Sequence, residues 1–154
     1  MGDPLSILAG TVGLLDVSWR VVSYLCDIQA GAAAIESDLV ALQQELEALL
    51  SVNESIRDIF TAELDENPAV LAVDSRRLWH NTGRLLRDCR TIVDGLETLL
   101  MEIIGSEGPK IFRKLDGFRK QLRRQQKNED FNSLRAQLHT SQGALQLLLS
   151  SFNL

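Results

Sequence analysis

The chain has 154 residues, of which 45% are apolar, 24% charged and 5% aromatic, with only three prolines. That is a one-domain length with room for a sizeable core. The apolar share excludes a disordered chain, and a leucine-rich, aromatic-poor composition favours helix over sheet. The net charge of −5 conceals two opposed blocks: residues 1–67 carry twelve acids against two bases, and residues 110–127 carry eight bases against one acid. Partner charge is therefore read locally rather than from the total.

The first predicted element runs from Pro4 to about Cys26. Asp3 suits an N-cap and Pro4 the first helical position. Leu5, Leu8, Val12, Leu15, Trp19, Val22 and Cys26 recur at steps of three and four and predict the buried stripe. Ser6, Gly10, Gly13, Asp16, Arg20, Ser23 and Asp27 form a second stripe of small and charged residues. Pro4 to Leu15 carries no charge at all. The segment reads either as a buried helix of a bundle or as a helix held until something releases it into a bilayer. A conventional membrane span is disfavoured because Asp16 and Arg20 interrupt it, although their i,i+4 spacing lets them pair. No secretory signal is visible. The opening Met-Gly-Asp-Pro-Leu-Ser fits a loose myristoylation pattern that Asp3 weakens.

Gly31 marks a stop, and a second helix is predicted from about Ala32 to Glu63. Its seam is Ile35, Leu39, Leu42, Leu46, Leu49, Asn53, Ile56 and Phe60, with Asn53 expected as a satisfied polar residue near the bundle edge. Asn67-Pro68 breaks that helix. A third follows, starting at Pro68 or Asp74 and ending before Gly105. Its seam is Leu71, Leu78, Thr82, Leu85, Cys89, Ile92, Leu96, Leu99 and Ile103, broadened by Leu86, Val93, Leu100 and Ile104 as for a helix with neighbours on two sides. After Gly105-Ser-Glu-Gly-Pro109, a fourth helix is expected with Ile111, Leu115, Phe118 and Leu122 on its inner face. The last, about Glu129 to Ser151, presents Phe131, Leu134, Leu138, Ser141, Leu145, Leu148 and Phe152. No stretch alternates with period two, so the predicted fold class is all-α, a helical bundle of four to five amphipathic helices. The whole of 1–154 reads as one domain, excised from a longer multidomain protein.

Chemistry-bearing patterns are sparse. Cys26 and Cys89 read as small core residues in a reducing compartment. His80 and His139 stand apart without metal-ligand spacing, and Glu45, Glu47 and Glu54 are surface carboxylates with no visible partner. No nucleophile, metal or phosphate-loop motif occurs, so neither enzymatic activity nor a cofactor is expected. The basic face Lys110, Arg113, Lys114, Arg119, Lys120, Arg123 and Arg124 has three readings: a solvated or intramolecular face, contact with anionic lipid, or nucleic acid. The last lacks interleaved stacking aromatics, and no nucleic-acid partner is expected.

Asp3-Pro-Leu-Ser-Ile-Leu-Ala-Gly-Thr-Val-Gly-Leu-Leu resembles the opening of the HeLo-like N-terminal domain of fungal STAND (NLR-like) and heterokaryon-incompatibility proteins. The resemblance continues through Ile35 to Leu50 and returns in Glu129 to Leu149. It implies a cell-death effector domain of fungal innate immunity that is cytoplasmic at rest and moves to the plasma membrane on activation. Nucleotide-binding and sensor domains would follow it, self-association would gather it, and its N-terminal helix would permeabilise the membrane. On that reading Leu5, Ile7, Leu8, Val12, Leu14 and Leu15 insert, and the seven basic residues engage anionic membrane lipids. The competing expectation is a soluble oligomerisation adaptor that never touches lipid.

Overall fold

Heptad-like apolar spacing in four segments produces four long helices in a computed structural model, which describes residues 4–31, 37–66, 73–104 and 126–152. They are α1 (Pro4–Gly31), α2 (Ser37–Glu66), α3 (Val73–Ile104) and α4 (Asn128–Phe152), with no strand among the described residues. The fold is an all-α helical bundle. The predicted helix after Pro109 and its whole basic face, Lys110 to Arg124, lie outside the described residues.

The helices pack as a ring in which α1 and α4 each lie against both α2 and α3. Cross-helix neighbours give the directions. Ile7 meets Gly83 and Arg20 meets Glu97, so α1 and α3 are parallel. Asp38 pairs with Arg135 and Glu45 with His139, so α2 and α4 are parallel. Lys127 pairs with Glu102 while Leu134 sits on Gly95, so α3 and α4 are antiparallel. The start of α1, the end of α2, the start of α3 and the end of α4 therefore share one end of the bundle.

The α2 seam is buried as its spacing predicts: Leu39, Leu42, Leu46, Leu49, Ile56 and Phe60 line the core, while Ile35 is outside the described residues. In α4, Phe131, Leu138 and Leu145 are core, Leu134, Ser141 and Leu148 are half-buried, and Gln142 joins the buried set. In α3 the seam residues Thr82, Cys89, Ile92, Leu96, Leu99 and Ile103 are buried. Leu86, Val93 and Leu100 broaden the stripe as expected for a helix with neighbours on two sides, whereas Leu78 and Leu85 are only half-buried. Trp79, outside the predicted seam, is fully buried and packs edge-on against Phe60 at 4.5 Å between ring centroids. Such a pair adds to plain area burial and ties the end of α2 to the start of α3.

The two thiols part company. Cys89 is in the core as expected, but Cys26 is exposed on α1, which corrects its reading as a core residue. Burial pushes the Cys89 thiol up from 9.0 to about 12, with the neighbouring Asp88 carboxylate adding to the effect. A thiol-specific reagent near pH 8 is expected to label Cys26 at once and Cys89 only on unfolding, with Cys26→Ser removing the fast phase. The raised value also carries a pH dependence. The folded chain keeps the Cys89 proton while the unfolded chain loses it, so stability falls as pH climbs from about 9 towards 12, by an upper bound on the order of 4 kcal/mol. Denaturant titrations of Cys89→Ala over that range are expected to show a flatter decline.

Candidate functional site

The candidate site is α1. Two stripes of the same spacing compete on this helix, and the structure buries mainly the one not predicted. Ile7, Thr11, Leu14, Val17, Ser18, Val21, Leu25 and Ile28 face the core, and Val22 is buried beside them. Of the predicted stripe, Val22 is buried, Leu8 and Leu15 are half-buried, and Val12 and Trp19 are 56% and 54% exposed. The reason is local: up to Leu15 the helix is apolar all round, so the positions of α2 and α3 decide which stripe is interior. The predicted insertion residues divide accordingly. Ile7 and Leu14 are core, Leu8 and Leu15 flank it, Val12 points outward, and the Leu5 side chain is outside the described residues.

The second stripe marks the rim shared with α3. A Cβ on Gly10 would touch Leu86 at 4.0 Å, and one on Gly13 would stand 2.1 Å from Arg90 Nη1. The Arg90 guanidinium thus lies over Gly13, where a side chain would have to displace it. Further along, Arg20 donates from Nε to Glu97 Oε2 at 2.9 Å and from Nη2 to Glu97 Oε1 at 3.3 Å. Its Nη1 donates to Asp16 Oδ2 at 2.8 Å, the predicted i,i+4 partner. Glu97 hydrogen bonding and charge raise the Arg20 pKa, with Asp16 adding less, so the guanidinium stays charged throughout the working range. This fork sets the position of α1 on α3 by geometry.

On the α2 side the seam is polar where it should be greasy. Asn53 is 1% exposed, and its Nδ2 donates to the Thr11 carbonyl at 2.8 Å. Asn53 Oδ1 and Ser18 Oγ are buried with no hydrogen-bond partner among the described residues. Asn53 is therefore deep in the interior rather than near the bundle edge, and only its amide nitrogen finds a partner among the described residues. Thr11 turns its hydroxyl back onto its own helix, donating to the Leu8 carbonyl at 2.8 Å.

These contacts hold α1 unevenly. From Val17 onward five apolar side chains are buried, each contributing roughly 1.5–3 kcal/mol relative to exposure; over residues 7–15 only Ile7 and Leu14 are buried to that degree. Gly10 and Gly13 also each lower helix propensity in the first half by about 1 kcal/mol relative to Ala. Withdrawing all of α1 would cost roughly 10–20 kcal/mol, which equals or exceeds the 5–15 kcal/mol stability of a typical domain. Complete release in water thus amounts to unfolding, and needs lipid or a partner to offset it.

The remaining polar constellation lies between α2 and α4. Asp38 pairs with Arg135 at 3.3 Å, and Glu45, read as partnerless, pairs with His139. A cleft of about 340 Å³ opens beside them, lined also by Leu42, Asn132 and Ala136. These pairs brace the two helices. His80 is exposed, and among the described residues no three His, Cys, Asp or Glu side chains converge on a metal-sized site. The residues that spacing could not reveal are Glu97 and Arg90, whose partners on α1 are about 77 positions away in sequence. Comparison with family models, with curated proteins and with solved structures returned no match.

The two faces of α1 predict opposite responses to the same chemistry. Leu14→Glu is expected to abolish cooperative unfolding, because it buries an unpaired charge. Val12→Glu, on the outward flank, is expected to change stability by less than about 0.5 kcal/mol. Thermal melts followed by circular dichroism check both.

Proposed function

We propose that this domain is a membrane-targeting cell-death effector whose first helix perturbs the plasma membrane once copies of the domain are gathered together. The observation that carries the reading is the double apolar character of α1. Its inner face builds the bundle, while Val12 and Trp19 stand on an outward flank beside Leu8 and Leu15. Tryptophan suits the boundary between headgroups and acyl chains, and an uncharged helix start followed by the Asp16–Arg20 pair suits a helix entering from one end. No described helix is long and apolar enough to cross a membrane. The proposed action is therefore interfacial insertion by clustered α1 helices, with Lys110, Arg113, Lys114, Arg119, Lys120, Arg123 and Arg124 drawing the domain to anionic lipid. The resting location is cytoplasmic, and nucleotide-binding and sensor domains attached to this chain supply the trigger.

One observation favours the alternative, a soluble oligomerisation adaptor: most of α1 is wedged in the core at a cost that thermal motion does not meet. Dye release from vesicles containing anionic lipid separates the two. The wild-type chain, crosslinked into oligomers, is expected to release dye, and Val12→Glu/Trp19→Glu is expected to keep its fold and lose at least about tenfold of that activity, since each charge is costly in the apolar layer. Equal leakage by both, or none by either, overturns the membrane reading and leaves the adaptor.

A further inference from the structure

We infer that α1 opens in two unequal stages, with residues 4–15 a docking arm that leaves and rejoins the bundle while residues 17–28 stay seated. The inference deepens the membrane reading by naming what regulates α1, and it rests on that reading only for the consequence at a bilayer. Four features of the seat converge. The described part of the arm contributes two fully buried apolar side chains, Ile7 and Leu14, against five beyond Asp16. Between those two anchors the buried position is Thr11, a small polar side chain, with Gly10 beside it, and the arm's other large apolar side chains packed against the core, Leu8 and Leu15, are only half-buried. The Asn53 amide crosses from α2 to the Thr11 carbonyl, yet its own Oδ1 is left buried without a partner among the described residues. Water can take over the Asn53 amide when the arm lifts, so opening forfeits one replaceable cross-helix hydrogen bond to α2. The boundary is equally well marked. Asp16 and Arg20 begin the fixed half, and the Arg20 fork onto Glu97 pins it to α3.

Local openings of this kind are read by native-state hydrogen exchange. In the full 154-residue chain, amides 9–14 are expected to exchange at least about 100-fold faster than amides 18–28. Val21→Ala, which weakens only the fixed half, is expected to lower the melting temperature and speed exchange at 18–28 while leaving 9–14 within about twofold of wild type. A clamp provides the complementary test. A Cβ at Gly10 would lie 4.0 Å from that of Leu86, within the span of a disulfide. In a Cys26→Ser background, oxidised Gly10→Cys/Leu86→Cys is expected to slow exchange at 9–14 to the rate of 18–28, and reduction is expected to restore it. Oxidation is likewise expected to stop dye release from anionic vesicles, and reductant to return it. Equal exchange in both halves of the wild-type helix, or a Val21→Ala effect spread evenly over both, overturns the two-stage arm whatever the vesicles do. An exchange contrast together with silent vesicles supports the arm and overturns the membrane reading alone.

Discussion

The packing of α1 across both α2 and α3 is the constraint on which the rest of the bundle depends. Its inner face from Ile7 to Ile28 is the apolar surface through which those two helices are brought together on that side of the ring. Where α1 and α3 run parallel, Gly13 leaves the space that the Arg90 guanidinium fills, while Gly10 faces Leu86 and Gly83 faces Ile7 at ordinary contact distance. On the opposite side α4 repeats the arrangement with Leu134 against Gly95, braced by the Lys127–Glu102 pair. The Lys127 ammonium is held charged by Glu102, which raises its pKa. Small residues set the spacing, and long apolar ones fill what remains.

The same helix poses the central energetic problem. Apolar residues on both faces make it suited to two environments, yet the inner face is too extensive to be given up freely. Among the described residues, five buried apolar side chains past Asp16 hold that half of the helix more strongly than the two before it. The polar entries at Thr11, Ser18 and Asn53 fall on this seam rather than elsewhere in the core. Thr82, the corresponding polar entry on α3, satisfies itself by donating to the Leu78 carbonyl.

Legibility in the sequence followed the number of apolar stripes a helix carries. In α2 one stripe dominates, and every described member of its seam from Leu39 to Phe60 is buried. In α1 two stripes share the same spacing, so periodicity alone could not choose between Leu8–Val12–Leu15–Trp19 and Ile7–Leu14–Val21–Leu25. The first was read as the buried stripe, and the bundle took the second. Trp79 escaped notice because it sits one position from Leu78, and the step pattern counted only Leu78. Asn53 was seen as an oddity, but its depth and its orphaned oxygen depend on what α1 places opposite it. Glu97, Arg90 and the Glu45–His139 pair belong to tertiary structure, since their partners are far away along the chain. The basic face from Lys110 to Arg124 is outside the described residues and stands on sequence alone.

The directions of the four helices carry a last implication. With α1 rising beside α3 and α4 descending along it, Pro4 and Phe152 emerge at the same pole, where the aromatic pair Phe60–Trp79 also sits. Anything covalently joined after Phe152 is delivered at the same pole as the start of α1, across the ring from it, at an effective concentration set by its linker rather than by solution. A bulky or charged neighbour tethered there would crowd that doorway without making a single specific contact.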